Sequence, residues 1–366
     1  MPASSSTSSS NPVKTTSNGL WIFFRNGLLL LLAIVVLDKL IGAILHRMYF
    51  SQKNGPASET TFTFTKMDQD VIILGSSRGR RNYNPQFIAD SLGLSCYNAG
   101  HDGQTIFYEQ SIVRMALSRY TPKLVIIDLN PEEMYYREVH YDRLNVLAPY
   151  YQDYPEVRDI YLLKGVRDRR PENGIFVAPS VEVSKDFWMT HGAMEEWILP
   201  VNYEQYKMAS MIYRYNSSLL DILTGIFKNR KSDAGFKPLK GLISEKKADE
   251  LIKENAVLRN QKDKVVDPAK VKGLEEIFST LTSKGAKVYV SMSPALAPFA
   301  MEPSYQAIQD VCAKYNIPFK DYSQDLQYNK LGYFFDNHMN KDGANLFSAN
   351  LAHDVKILSS YGKEEN

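Results

Sequence analysis

Cysteine is almost missing from this chain: Cys96 and Cys312 are the only two among 366 residues. Two thiols so far apart cannot make a disulfide framework, and without a CxxC pair or a histidine-rich spacing no zinc-type ligand set can be drawn. Both read as small buried apolar residues. An excess of one charge is missing too. The 43 Lys and Arg residues stand against 41 Asp and Glu, for a formal net charge of +2, so nothing in the balance calls for nucleic acid. The start of the chain also lacks the basic region and A-x-A-like site of a cleaved secretory signal. No motif demands a cofactor or a metal.

What is present divides the chain. Residues 1–20 are dominated by Ser and Thr and cannot bury enough apolar surface to offset the entropy of ordering, so a disordered tail is expected. Residues 21–46 open with Trp21-Ile22-Phe23-Phe24, continue uncharged from Gly27 to Leu37, and resume from Leu40 after Asp38-Lys39. A bilayer-spanning helix needs about 20 mostly apolar residues, and this stretch supplies them; a buried core helix is the alternative. The partner implied is membrane lipid. Lys14 and Arg25 lie before the run and Arg47 and Lys53 after it, which leaves the positive-inside count nearly even and the orientation open. Residues 47–67, polar with Gly55-Pro56 and alternating Thr and Phe, are expected to be a flexible linker.

The globular part, residues 68–366, is organised around Val71-Ile72-Ile73-Leu74-Gly75-Ser76-Ser77. Four consecutive aliphatics read as a strand buried on both faces, the kind found in parallel sheets covered by helices. Further strands are expected at Leu94–Asn98, Leu124–Leu129, Lys287–Ser291 and Ile317–Lys320. Helices between them are signalled by Asn84-Pro85 with a closing Gly93, and by Asp267-Pro268 with an apolar stripe from Val271 to Leu281. The rhythm predicts an α/β fold: a flavodoxin-like doubly wound parallel sheet of about five strands. It is interrupted by an insertion at about 132–260, rich in Tyr and Arg, expected to cover the carboxyl edge of the sheet.

Reactive groups in such sheets sit past the carboxyl ends of the strands. Gly75-Ser76-Ser77 lies there, as a strand-ending turn or as a nucleophile carrier. Gly100-x-x-Gly103-x-Thr105 precedes a helix, Asn130 ends the third strand, and Asp336-x-His338 precedes the last helix. His101, between the two glycines, could meet substrate or serve the turn. Arg78, Arg80 and Arg81 could face an anionic substrate or pair with carboxylates.

These four blocks, in this order, resemble the SGNH (GDSL-type) hydrolases, and within them the membrane-anchored branch that includes the DltD-like proteins. The resemblance covers about Asp68 to Lys356 without the insertion. It implies Ser77 as nucleophile, with Ser76 in place of the family's Asp. It also implies His338 as base, and backbone N–H groups of Ser77 and Gly103 with Asn130 as oxyanion donors. Asp336 stands two residues before the histidine, where the family has three, and in an extended segment it would share a face with it. The activity implied is that of a membrane-anchored serine esterase or O-acyltransferase. It would act on acylated envelope glycans or glycolipids, outside the cytoplasm, through an acyl-enzyme. A catalytically silent binding or scaffold protein of the same fold is the alternative. The insertion tyrosines Tyr135, Tyr136, Tyr141, Tyr150, Tyr151 and Tyr154 would either stack on sugar rings or pack the insertion onto the sheet.

Overall fold

A computed structural model describes residues 17–165, 202–225, 234–259 and 264–361. The expected tail lies, up to residue 16, outside the described residues, and so does part of the insertion. Five strands form one all-parallel sheet: β1 (Val71–Leu74), β2 (Cys96–Asn98), β3 (Leu124–Asp128), β4 (Lys287–Met292) and β5 (Phe319–Asp321). Their spatial order is β2-β1-β3-β4-β5, the flavodoxin-like order, with its switch point between β1 and β3. Register follows the pleat. Val71 lies beside Leu124 and Ile72 beside Val125, so Ile72, Leu74, Val125, Ile127, Val288 and Val290 share one face. Val71, Ile73, Leu124, Ile126 and Tyr289 share the other.

Helices cover both faces. α3 (Ser77–Asn82) follows β1 directly, and α4 (Pro85–Leu92) opens with the Asn84 side chain accepting from the Gln86 N–H at 3.1 Å and closes on left-handed Gly93. α5 (Ile106–Leu117) lies on the opposite face. The insertion supplies α6 (Glu138–Asp142), α7 (Arg158–Leu162), α8 (Tyr203–Lys207), α9 (Leu219–Gly225) and α10 (Glu245–Arg259). The α/β rhythm then returns with α11 (Pro268–Ser283), capped by Asp267, and α12 (Pro303–Lys314). The chain closes with a hairpin of β6 (Phe334–Phe335) and β7 (His338–Met339) feeding α13 (Lys341–Tyr361). α5 packs with α11, and α4 with α13.

The N-terminal region departs from expectation. α1 runs from Ser17 to Phe50 and is long and apolar enough to cross a membrane. Its surface from Leu20 to Leu37 is exposed, but Gly42 and Tyr49 are buried. The expected linker at 47–67 is no tether. It contains α2 (Pro56–Thr65), started by a proline at its first turn, which buries Thr60, Thr63 and Phe64 at helical spacing. Thr60 bonds Tyr108 at 3.1 Å and Thr61 bonds Tyr150 at 2.7 Å. The Thr and Phe residues alternate in sequence, but the i, i+3, i+4 set Thr60, Thr63 and Phe64 decides the structure. The domain therefore begins within α1, and cutting the chain at residue 50 would strip Tyr49 from its contacts with Tyr150 and Tyr215.

The insertion tyrosines are packing residues. Tyr135, Tyr141 and Tyr150 are buried, and Tyr136, Tyr151 and Tyr154 pack partly buried against the hydrophobic core. Among the described residues, the return limb of the insertion crosses the carboxyl edge of the sheet. There Asn98 donates its N–H to the Ala234 carbonyl, Lys237 donates to Arg80, and Leu239 bridges to Asn340.

Candidate active site

Ser77 is placed by close backbone packing. The chain leaves β1 through Gly75, at φ +145°, where a side chain would meet Asp128 at about 3.0 Å. Gly100 presses on the same turn: a Cβ there would lie 2.5 Å from the Arg80 nitrogen. Only glycine permits both approaches. From Val71 to Arg80 every residue is buried except Ser77, the first residue of α3. Its hydroxyl opens into a cleft of about 120 Å3 whose wall includes Asn130, Glu132, Glu133, Asn337 and His338.

His338 arrives from the far end of the chain. Nε2 of its ring lies 2.8 Å from Ser77 Oγ. Asn82, at the end of α3, is fully buried and accepts from the Met339 N–H at 3.0 Å while donating to Ser293 Oγ at 2.9 Å. One asparagine thus ties the strand that carries the base to the helix that carries the hydroxyl. Burial, together with the guanidinium groups of Arg78 and Arg81, pushes the His338 pKa down to about 3, against the opposing charge of Asp102. The imidazole is neutral at ordinary pH and free to accept a proton.

The remaining expected site residues fare differently. Asn130 lines the cleft, and its side-chain oxygen accepts from the Glu132 N–H at 3.1 Å, which leaves the amide nitrogen as its donor. Gly103, at φ +73°, does not line the cleft; Arg143 covers it and donates to its carbonyl at 2.7 Å. Asp336 is not brought to the ring. The segment expected to be extended is a two-residue hairpin turn, Phe335 pairing with His338, and Asp336 sits on it exposed at φ +58°. The only hydrogen-bond partner of the ring among the described residues is Ser77.

The arginines are spoken for. Arg78 is buried, donates to Ser293 Oγ at 3.0 Å and to the Pro294 carbonyl at 2.9 Å, and lies over the Phe299 ring. Arg80 pairs with Glu59 and Asp102, and Arg81 pairs with Asp102 at 2.9 Å. His101 meets Tyr108 edge-on in a separate small cavity with Glu59 and Gly235, so it serves the turn.

Three residues carry no sequence signal yet shape the site: Asn82, Asp128 and Glu133. Asp128, at the end of β3, accepts from Tyr83 at 2.6 Å and from the Ser293 N–H at 2.9 Å, which locks the β4 exit against α3. Glu133 faces the cleft beside Ser76. Burial raises its carboxyl to about 7, with the Ser76 hydroxyl, Arg78 and Lys270 opposing and the Asp128 charge adding to it. A buried Asn or Glu within a run such as Arg80-Arg81-Asn82 or Pro131-Glu132-Glu133 looks the same in sequence as a solvated one. Among the described residues no cluster of His, Cys, Asp and Glu could hold a metal ion. No protein-family model matches this chain, and no curated protein matches it.

Proposed function

We propose that the protein is a membrane-anchored serine esterase or O-acyltransferase acting on acylated envelope glycans or glycolipids at the non-cytoplasmic face. The observation that carries this reading is the 2.8 Å contact between His338 Nε2 and Ser77 Oγ at the switch point of the sheet. His338 takes the Ser77 proton as the oxygen attacks the ester carbonyl, then returns it to the departing alcohol. Water or a sugar hydroxyl resolves the acyl-Ser77 by the reverse path. The resemblance of the motif order to SGNH hydrolases supports the same chemistry.

The cleft, at about 120 Å3, is small beside the roughly 300–1,000 Å3 of pockets that take drug-sized ligands, which favours a short acyl group. O-acetylated oligosaccharides are therefore expected to be turned over by the full-length protein in detergent at least tenfold faster than long-chain p-nitrophenyl esters, compared by kcat/KM. Preference for the long-chain ester, with no glycan deacetylation, would make the enzyme lipase-like.

The pH profile is a second test. A base with a pKa near 3 leaves kcat/KM without an acidic limb at pH 5–7. Glu133, ionising near 7, adds negative charge beside Ser77 as pH rises and disfavours an oxyanion there. Activity is expected to decline through about pH 7 in the native protein and to stay level in Glu133→Gln. An acidic limb at 6–7 that persists in Glu133→Gln would show that His338 titrates at its ordinary value.

One observation favours a second reading, a catalytically silent SGNH-fold binding or scaffold protein. No carboxylate orients the His338 ring among the described residues. Labelling by an active-serine phosphonate separates the two readings.

A further inference from the structure

α1 is locked to the domain along its last three turns. Asp38 accepts from Ser210 Oγ at 2.6 Å and from the Met211 and Ile212 N–H groups at 2.9 and 3.2 Å, and Lys39 donates to the Ala209 carbonyl at 3.1 Å. One turn on, Gly42 lets Met211 approach so closely that a Cβ there would lie 2.1 Å from that of Met211. His46 Nδ1 then meets Tyr215 OH at 2.8 Å. The helix cannot swivel against the domain without breaking these contacts, so its depth in a bilayer sets the depth of whatever packs beside it.

Length sets that depth. At 1.5 Å per residue, the stretch from Trp21 to Leu37 spans roughly 24 Å, a little short of the hydrocarbon core. Arg25, about 6 Å inside its outer end, reaches the far interface along its own stem, which leaves Asp38 and its bonded N–H groups at the near interface. Apolar exposure does not stop there. Leu40, Ile41 and Ile44 of α1 are 59, 43 and 59% exposed. At i, i+1 and i+4 they form one outward arc, while Gly42 and His46 face the domain. α9, packed against α1, repeats the pattern: Leu219, Leu220 and Leu223 are 43, 72 and 51% exposed, Ile222 is buried, and Asp221 points to the side away from the leucine arc by its helical position.

We propose that α9 is a lipid-facing element, seated with Leu219, Leu220 and Leu223 in the headgroup–acyl boundary of the leaflet that α1 enters at Asp38. The occupant of this face is the bilayer, because the leucine arc abuts the spanning helix at the level where its own apolar surface meets the interface. Amphipathic segments lie in that plane with their apolar side buried about 5–10 Å. The inference rests on the reading of α1 as a membrane span. Its consequence is that the domain is held in one tilt on the membrane instead of swinging on a tether.

The test uses the full chain in phosphatidylcholine vesicles, with a nitroxide attached through Leu220→Cys and collisions with oxygen and with a water-soluble nickel chelate compared. Leu29→Cys, within the spanning stretch, reports the anchor. Leu326→Cys, 79% exposed on the globular domain, reports bulk water, and the native Cys96 and Cys312 are buried. The expected result is a label at 220 whose oxygen-to-nickel ratio falls between those at 29 and 326, as a boundary position requires, with nickel accessibility at least threefold below that at 326. A label at 29 in lipid with 220 matching 326 would overturn the proposal and leave the anchor standing. Water-like behaviour at both 29 and 220 would overturn the anchor, and the proposal with it.

Discussion

Replacing Ser77 by alanine is expected to abolish labelling by a phosphonate probe and to lower ester turnover on the order of 10⁴–10⁶-fold, the scale of losing the nucleophile in a serine enzyme. Two serines stand side by side, and burial separates them. Ser76 is 3% exposed and sits beside Glu133, while Ser77 is the one residue from Val71 to Arg80 that is not buried and the one whose hydroxyl meets an imidazole. In the proposed mechanism neutral His338 removes the proton that makes a serine hydroxyl a weak nucleophile. Ser76→Ala is accordingly expected to keep turnover within about tenfold of the native protein, since no proton transfer runs through it. Labelling that survives Ser77→Ala and vanishes in Ser76→Ala would reverse the assignment. Native protein that neither labels nor turns over any ester would favour the binding or scaffold reading.

Much of this arrangement is legible from local pattern. The runs at Val71, Leu124 and Lys287 are too apolar and too β-branched for anything but buried strands, and the caps at Asn84 and Asp267 with their following prolines mark helix starts that the structure places at those residues. The meeting of Ser77 with His338, 261 positions apart, is a tertiary fact suggested by motif order alone. What escaped is of two kinds. The helix at Pro56–Thr65 hides behind a period-2 alternation of Thr and Phe, and tertiary burial of Thr60, Thr63 and Phe64 overrides it. Asn82, Asp128 and Glu133 owe their roles to burial, which a single polar residue does not announce; Asn82 in particular sits beside Arg81 in what reads as a solvated basic turn. The turn at Asp336 belongs to the first kind. An extended path through Asp336 is the simpler expectation, yet Asp and Asn both tolerate left-handed backbone and favour tight hairpin turns.

That turn makes the sharpest contrast between His338 and Asp336. His338→Ala is expected to cost as much as Ser77→Ala, because in the proposed mechanism the two act on one proton and losses in such a unit do not add. In a three-member triad the carboxylate fixes the tautomer and steadies the imidazolium, and losing it costs roughly 10⁴-fold in kcat. Here Asp336 is exposed on the hairpin at φ +58°, and the ring is held by β7, itself pinned by Asn82 through Met339. Asp336→Asn removes the charge and keeps a side chain that accepts the left-handed backbone. Its expected cost is less than threefold in kcat, against the loss of several orders of magnitude in His338→Ala. Asp336→Ala should lose somewhat more than Asp336→Asn, because alanine resists that backbone, and the deficit should appear in thermal stability before it appears in kcat. A loss of a thousandfold or more in Asp336→Asn, with folding unchanged, would mean that the carboxylate swings onto the ring when substrate binds, making the site a triad instead of a serine–histidine pair.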